Sequence, residues 1–126
     1  MPVRVVDASA LGAVVFGEPQ AEEIAGLLKE ALLIGPTLLP FELASICLKK
    51  IKAHPAKREL ILQAYNTSWM LDLEYLEVEH QEVIALAEQT GLTTYDTTYL
   101  WLARRTGGLL VTLDTKLRLA AEGRVG

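Results

Sequence analysis

Four short runs, "VRVV" at 3–6, "LLIG" at 32–35, "LEYLEVE" at 73–79 and "LLVTL" at 109–113, are separated from one another by stretches with helical spacing. That alternation constrains the fold more than any other feature. Valine- and leucine-rich runs this short read as strands covered on both faces. Strands of that kind with helices between them make a parallel sheet sandwiched by helices. The expected architecture is an α/β fold, a three-layer α/β/α sandwich around a parallel sheet of four to five strands. No linker, repeat or low-complexity tract divides residues 1–126, so a single domain is expected.

The intervening segments carry their own signals. "SALGAVVFG" reads as a short helix stopped by Gly17, and "PQAEEIAGLLKEA" as an amphipathic one. The latter sets Ile24, Leu27, Leu28 and Ala31 against Glu22, Glu23 and Lys29. "PFELASICLKKIKAH" has apolar residues at 43, 44, 47, 48 and 51, and "AKRELILQAYNTSWML" offers Leu60, Ile61, Ala64 and Tyr65 as a buried stripe. "HQEVIALAEQTG" and "TTYLWLARRTGG" both end on glycine, the residue that most readily takes the left-handed conformation closing a helix. "TKLRLAAEG" is the last helix.

Composition removes several classes. With 51% hydrophobic and 22% charged residues the chain is globular and not disordered. No apolar run approaches the roughly 18 residues of a membrane span, and Arg4 breaks up the only signal-like stretch. The single cysteine, Cys47, excludes an internal disulfide; it fits a core position and a reducing cytoplasm. His54 and His80 lack zinc-site spacing and read as surface residues near helix ends. A net charge of −4 argues against indiscriminate nucleic-acid binding, but not against a site where metal ions supply the positive charge.

The acidic residues fall into a pattern on this map. Asp7 and Asp114 end buried strands at their carboxyl ends, on one edge of a parallel sheet. Asp96 opens the helix before the fourth strand, and Glu42 lies in the first turn of the helix after the second. Taken singly, the three aspartates could be helix N-caps and Glu42 a carboxylate at the positive end of a helix dipole. Capping does not explain why they collect on the edge where open α/β sheets bind ligands. Converging carboxylates repel one another unless protonated or neutralised by a cation. Oxygen ligands without histidine or thiolate suit Mg²⁺ or Mn²⁺.

The strings "VVDASAL", "PFELAS" and "TTYDTTYLWLARRTGGLLVTLDTKL" resemble, in order and across essentially the whole chain, the successive signatures of the PIN-domain family of ribonucleases. Chain length makes the VapC-type toxins of toxin–antitoxin pairs the nearest kind. The resemblance implies a metal-dependent ribonuclease with Mg²⁺ or Mn²⁺ bound in an acidic site. It also implies an RNA substrate, a homodimer and a cognate antitoxin that blocks the crevice. Asp7, Glu42, Asp96 and Asp114 fall at the family's acidic positions. Two departures stand out: Ser45 occupies a place where many relatives carry asparagine, and "EGRVG" leaves little room for the last strand relatives commonly have.

For such chemistry Asp7, Asp96 and Asp114 are assigned to metal binding, with Glu42 a ligand or the group that orients water. Ser9 and Thr112 are candidates to hold carboxylates in place, against plain capping and strand roles. Lysines 49, 50 and 52, Lys116, Arg104, Arg105 and Arg118 are candidates for phosphate contacts, with Lys116 and the Arg104–Arg105 pair foremost. Two other classes remain. One is aspartyl phosphotransfer with Asp7 as nucleophile, which wants a lysine at the end of a later strand where this chain has Asp114. The other is a degenerate PIN-like module that keeps the fold for partner contacts.

Overall fold

A computed structural model describes residues 1–123. Its four strands, β1 (Val3–Val6), β2 (Leu32–Pro36), β3 (Leu73–Leu76) and β4 (Leu109–Val111), form one sheet in the order β3-β2-β1-β4, and every pairing is parallel. Seven α-helices connect and cover them. Helices α1 (Ala8–Val15) and α2 (Ala21–Leu28) follow β1; α3 (Leu39–Ala53) and α4 (Arg58–Thr67) follow β2. Helices α5 (His80–Thr90) and α6 (Thr94–Thr106) lead to β4, and α7 (Thr115–Ala121) comes after it. This is the expected α/β sandwich, with four strands among the described residues. The sequence expectation about "EGRVG" falls partly on residues 124–126, outside those described.

Strand order decides where a site can form. The chain steps from β1 to β2 to β3 in one direction and then returns to lay β4 on the opposite side of β1. Right-handed crossovers put the helices of the first two steps on one face and those of the return on the other. Their opening turns part between β1 and β4, which leaves a crevice beyond the carboxyl ends of those two strands. β1 is central because its residues suit double coverage: Val5 and Val6 are both fully buried, paired with Leu110 and Val111 on one side. Leu11, Leu39, Leu43, Leu100 and Leu102 close over the two faces.

Two glycines set the approach to β4. Gly107, with φ of 72°, ends α6 in the left-handed region where a side chain would be strained. A Cβ on Gly108 would meet Val3 Cγ1 at 2.8 Å, so only glycine lets the chain enter β4 flush against β1. On the far side of β4, Leu117 is fully buried and pins α7, a burial that contributes about 1.5–3 kcal/mol.

Several local expectations are corrected. The stripe on α4 is shallower than its periodicity suggests: Leu60 is 67% exposed, and no residue of that helix is fully buried. α4 lies outside α3, on the rim of the molecule, so only Ile61, Ala64, Tyr65 and their neighbours reach partial cover. α2 stops at Leu28, which leaves Ala31 off its face, and Leu27 is largely exposed. β4 is a three-residue edge strand with Leu109 half exposed, and not a buried run of five. Cys47 is buried in α3 and both histidines are exposed, as expected.

Candidate active site

Asp7 is the residue immediately after β1, and its backbone N–H still donates to Val111 of β4 at 3.1 Å. It caps α1, with Oδ1 accepting from the Ala10 N–H at 2.9 Å. It does more than cap. The Ser9 hydroxyl donates to the same oxygen at 2.7 Å, and the Thr112 hydroxyl donates to Oδ2. The two hydroxyls are themselves held by the segment after β4: Ser9 Oγ accepts from Leu113 N–H at 2.9 Å, across from β1, and Thr112 Oγ1 accepts locally from Asp114 N–H at 3.0 Å. These bonds stitch the end of β1 to the end of β4 and fix the carboxylate in the crevice mouth. Burial to 5% exposure nonetheless pushes the Asp7 carboxyl above its ordinary range. The hydroxyls and the Ala10 N–H pull the other way, and Asp114 adds repulsion.

Asp114 caps α7 through Oδ1, which accepts from the Leu117 N–H at 2.9 Å, and its side chain is exposed at the crevice. Asp96 is different. Sequence reasoning allowed it as a cap, but α6 begins at Thr94 and its cap is Thr93, whose hydroxyl accepts from the Asp96 N–H at 3.1 Å. Asp96 is the third helical residue, half-buried, and its carboxyl is raised by burial and then by the charge of Asp114. Lys116 offsets part of this. The missed signal was "TTYD" itself, because threonine three residues before an acidic residue marks a helix start on the threonine.

Glu42 enters from the first turn of α3. Burial raises its carboxyl, the Asp96 and Asp7 charges raise it further, and a hydrogen bond from Tyr99 counteracts them. Sequence reading placed Tyr99 in the helix "TTYLWLARRTGG" and gave it no part in the site. Only 1% exposed, it reaches from α6 to donate its hydroxyl to Glu42 Oε1. Burial, followed by that hydrogen bond, drives the phenol well above its ordinary range, so it remains a neutral donor. A buried tyrosine needs a polar partner for its hydroxyl, but 57 residues separate the pair and no local spacing could identify it.

The four carboxylates therefore sense one another: Asp7 with Asp114, Glu42 with Asp96 and Asp7, Asp96 with Asp114. Among the described residues, however, no group of three or more His, Cys, Asp or Glu side chains is drawn together closely enough to hold a metal ion. The acidic side chains are electrostatic neighbours beyond the carboxyl ends of the strands, without forming a closed cage.

Of the cations expected to meet phosphate, Lys116 lies beside Asp96, close enough to lower its carboxyl. Arg104 and Arg105 do not join the crevice. They occupy the last turn of α6, about 12 Å along the helix from Asp96, with Arg105 over the Trp101 ring at 5.8 Å. Ser45 is exposed, one turn on from Glu42.

Comparison with known proteins gives three findings. The PIN domain family profile matches residues 4–123. Ribonuclease VapC3 of Pyrobaculum aerophilum is 31% identical over 124 residues, spanning 90% of this chain and 90% of that protein. The crystal structure of PAE2754 from Pyrobaculum aerophilum shares the fold, with a TM-score of 0.78 at 24% identity, covering 98% of this chain and 88% of that one.

Proposed function

The chain belongs to the PIN domain family, and from that membership we propose that it is a metal-dependent ribonuclease, the toxin of a type II toxin–antitoxin pair. The observation that carries the reading is the convergence of Asp7, Glu42, Asp96 and Asp114 on one crevice, where each of the first three is held against burial and like charge. The donor set is entirely oxygen, which fits Mg²⁺ or Mn²⁺. An open arrangement suits Mg²⁺ in particular, which keeps several waters and binds through one or two carboxylates plus substrate phosphate. When bound, the ion supplies an activated water and stabilises charge on the departing oxygen.

The residues divide the remaining work. Ser9 and Thr112 hold Asp7 so that it presents a fixed carboxylate, and the neutral Tyr99 hydroxyl orients Glu42. Asp96 and Asp114 supply ligand charge from the opposite wall. The ribonuclease relative supports RNA as the substrate. An antitoxin that occupies the crevice, a homodimer and a cytoplasmic setting for one catalytic domain belong to the same proposal, by resemblance to VapC-type toxins. No helix among the described residues is long and apolar enough to cross a membrane.

The test is cleavage of transfer and ribosomal RNA by the purified chain. Cleavage is expected with Mg²⁺ or Mn²⁺ and is lost in EDTA. Robust cleavage in EDTA by protein free of contaminating nuclease overturns the metal mechanism. A chain that neither binds Mg²⁺ nor cleaves is instead a PIN-like binding module.

Placement of the cations gives a second expectation. Each phosphate contact on a single strand contributes about 0.7 to the slope of log affinity against log salt. Lys116→Ala reduces that slope by about one such contact, whereas replacing Arg104 and Arg105 together changes it less. Fluorescence anisotropy of a labelled single-stranded RNA in EDTA measures both. A larger loss from the arginine pair would move the RNA path to the far end of α6.

A further inference from the structure

Beside the acidic crevice, over the carboxyl ends of β2 and β3, lies a groove of about 390 Å³. It lies between the β2–α3 connection and the opening turns of α5 and α6. Pro36 and Val83 are buried in its floor, Ile84 and Tyr95 stand exposed on its walls, and Thr94 and Thr98 add hydroxyls. No carboxylate, lysine or arginine is among the described residues that line it. Tyr95 is 61% exposed and immediately precedes Asp96 in α6, so one helical turn carries both a crevice carboxylate and an aromatic face.

We propose that this groove is a nucleobase subsite, in which a base next to the scissile phosphate stacks on Tyr95 while Thr94 and Thr98 meet its polar edge. The inference rests on the nuclease reading above and names the part of the substrate that reading leaves unplaced. Three observations favour a base as the occupant. Neighbouring strands lie about 4.8 Å apart, so a phosphate over β1 and β4 places an adjoining base over β2 and β3, with no gap to bridge. The groove has no carboxylate, lysine or arginine and carries hydroxyls beside the His80 imidazole, which matches a neutral aromatic heterocycle with donors and acceptors on its rim and an apolar face. The chain has a net charge of −4, so backbone electrostatics supply little attraction and base stacking must carry a large share of single-strand affinity.

Two measurements test the subsite separately from the nuclease reading. In the first, uridine, cytidine, adenosine and guanosine are titrated into isotopically labelled protein in EDTA. These nucleosides carry no phosphate and are not repelled by the crevice. Binding at millimolar concentration is expected to shift the resonances of Tyr95, Thr98 and Ile84. In the second, Tyr95→Ala raises KM for single-stranded RNA about 5- to 140-fold, the loss of one stacked base, while Tyr95→Phe and Tyr95→Trp restore it. Position 95 is a solvent-facing helix site, so an unchanged melting temperature separates lost stacking from lost fold.

Unshifted groove resonances, or a Tyr95→Ala enzyme with wild-type KM, overturn the proposal even if RNA is cleaved. Nucleoside shifts confined to the groove uphold the subsite even if no metal restores cleavage, in which case it is the nuclease reading that fails. Failure of both Tyr95→Phe and Tyr95→Trp to rescue shows that position 95 does not act by stacking and overturns the proposal, and concentration-dependent broadening of the same resonances without nucleoside assigns the groove to protein contacts and overturns it as well.

Discussion

Asp96→Asn is expected to cut RNA cleavage by over about 100-fold while leaving the metal-free protein more stable than the wild type. Capping cannot produce that pair of effects. The cap of α6 is Thr93, so asparagine at position 96 leaves the helix start intact. The raised carboxyl of Asp96 shows that its surroundings disfavour the charged form on balance, burial and Asp114 outweighing Thr93 and Lys116. Removing the charge forfeits about 0.3–1 kcal/mol of favourable interaction with the helix end. It also relieves the net penalty that the raised carboxyl reports, so the melting temperature in EDTA is expected to rise. Cleavage goes the other way. Losing an outer partner of a metal ligand costs about 10- to 100-fold, and losing a ligand costs more, so activity falls by over about 100-fold. Thr93→Ala makes the contrast, with about 1 kcal/mol of stability lost and cleavage retained. Matching melts of Asp96→Asn and wild type, with cleavage intact, would return Asp96 to an ordinary helix-start carboxylate.

The stability of the whole chain should depend on pH in opposite senses with and without metal. Asp7, Glu42 and Asp96 all have folded pKa values raised above the ordinary 3.8 and 4.5, burial being the first cause in each. Between the unfolded and the raised values the folded chain binds more protons than the unfolded one, so stability falls as pH rises through that window. The penalty is absent below the ordinary values and complete above the raised ones. Metal-free protein therefore melts higher at mildly acidic than at neutral pH, until other groups drive acid unfolding. Magnesium binds only the deprotonated carboxylates. At a concentration about 100 times its dissociation constant it adds roughly 2.7 kcal/mol to the folded state, and that gain disappears on acidification. Thermal melts from roughly pH 5 to 8, in EDTA and in Mg²⁺, should converge at the acid end and separate at neutrality. Parallel curves across the range would show that no ion couples to these carboxylates.

The sheet and the positions of Asp7 and Asp114 were legible because strands signal themselves locally. A valine-rich run that halts on an aspartate fixes both the strand and its carboxyl edge, and parallel pairing puts two such ends together. Glu42 was legible for the same reason, one connection removed. What escaped depends on tertiary contact. Tyr99 looks like any core aromatic until the fold sets it against Glu42. The exposure of Leu60 depends on α4 sitting outside α3, which its own periodicity cannot report. Arg104 and Arg105 are near Asp96 in sequence and far from it in space, because a helix converts residue count into distance. The absence of a three-residue metal cage among the described residues is also invisible to sequence, since motifs give which groups face a crevice and not how closely they gather.

The bonds from Ser9 and Thr112 to Asp7 carry a consequence in time. β1 precedes every other strand of the sheet, while β4, which Thr112 and Asp114 follow directly, comes after them all. A growing chain can already lay β2 and β3 beside β1, yet one edge of the central strand stays open and Asp7 waits for its hydroxyl partner. Folding runs with synthesis at about 5–20 residues per second, so the final wall of the crevice arrives seconds after the first. A polypeptide still attached to the ribosome, or cut short before β4, presents an acidic patch with one side missing. The same topology that places the site at the reversal in strand order makes its completion wait for the last strand of the sheet.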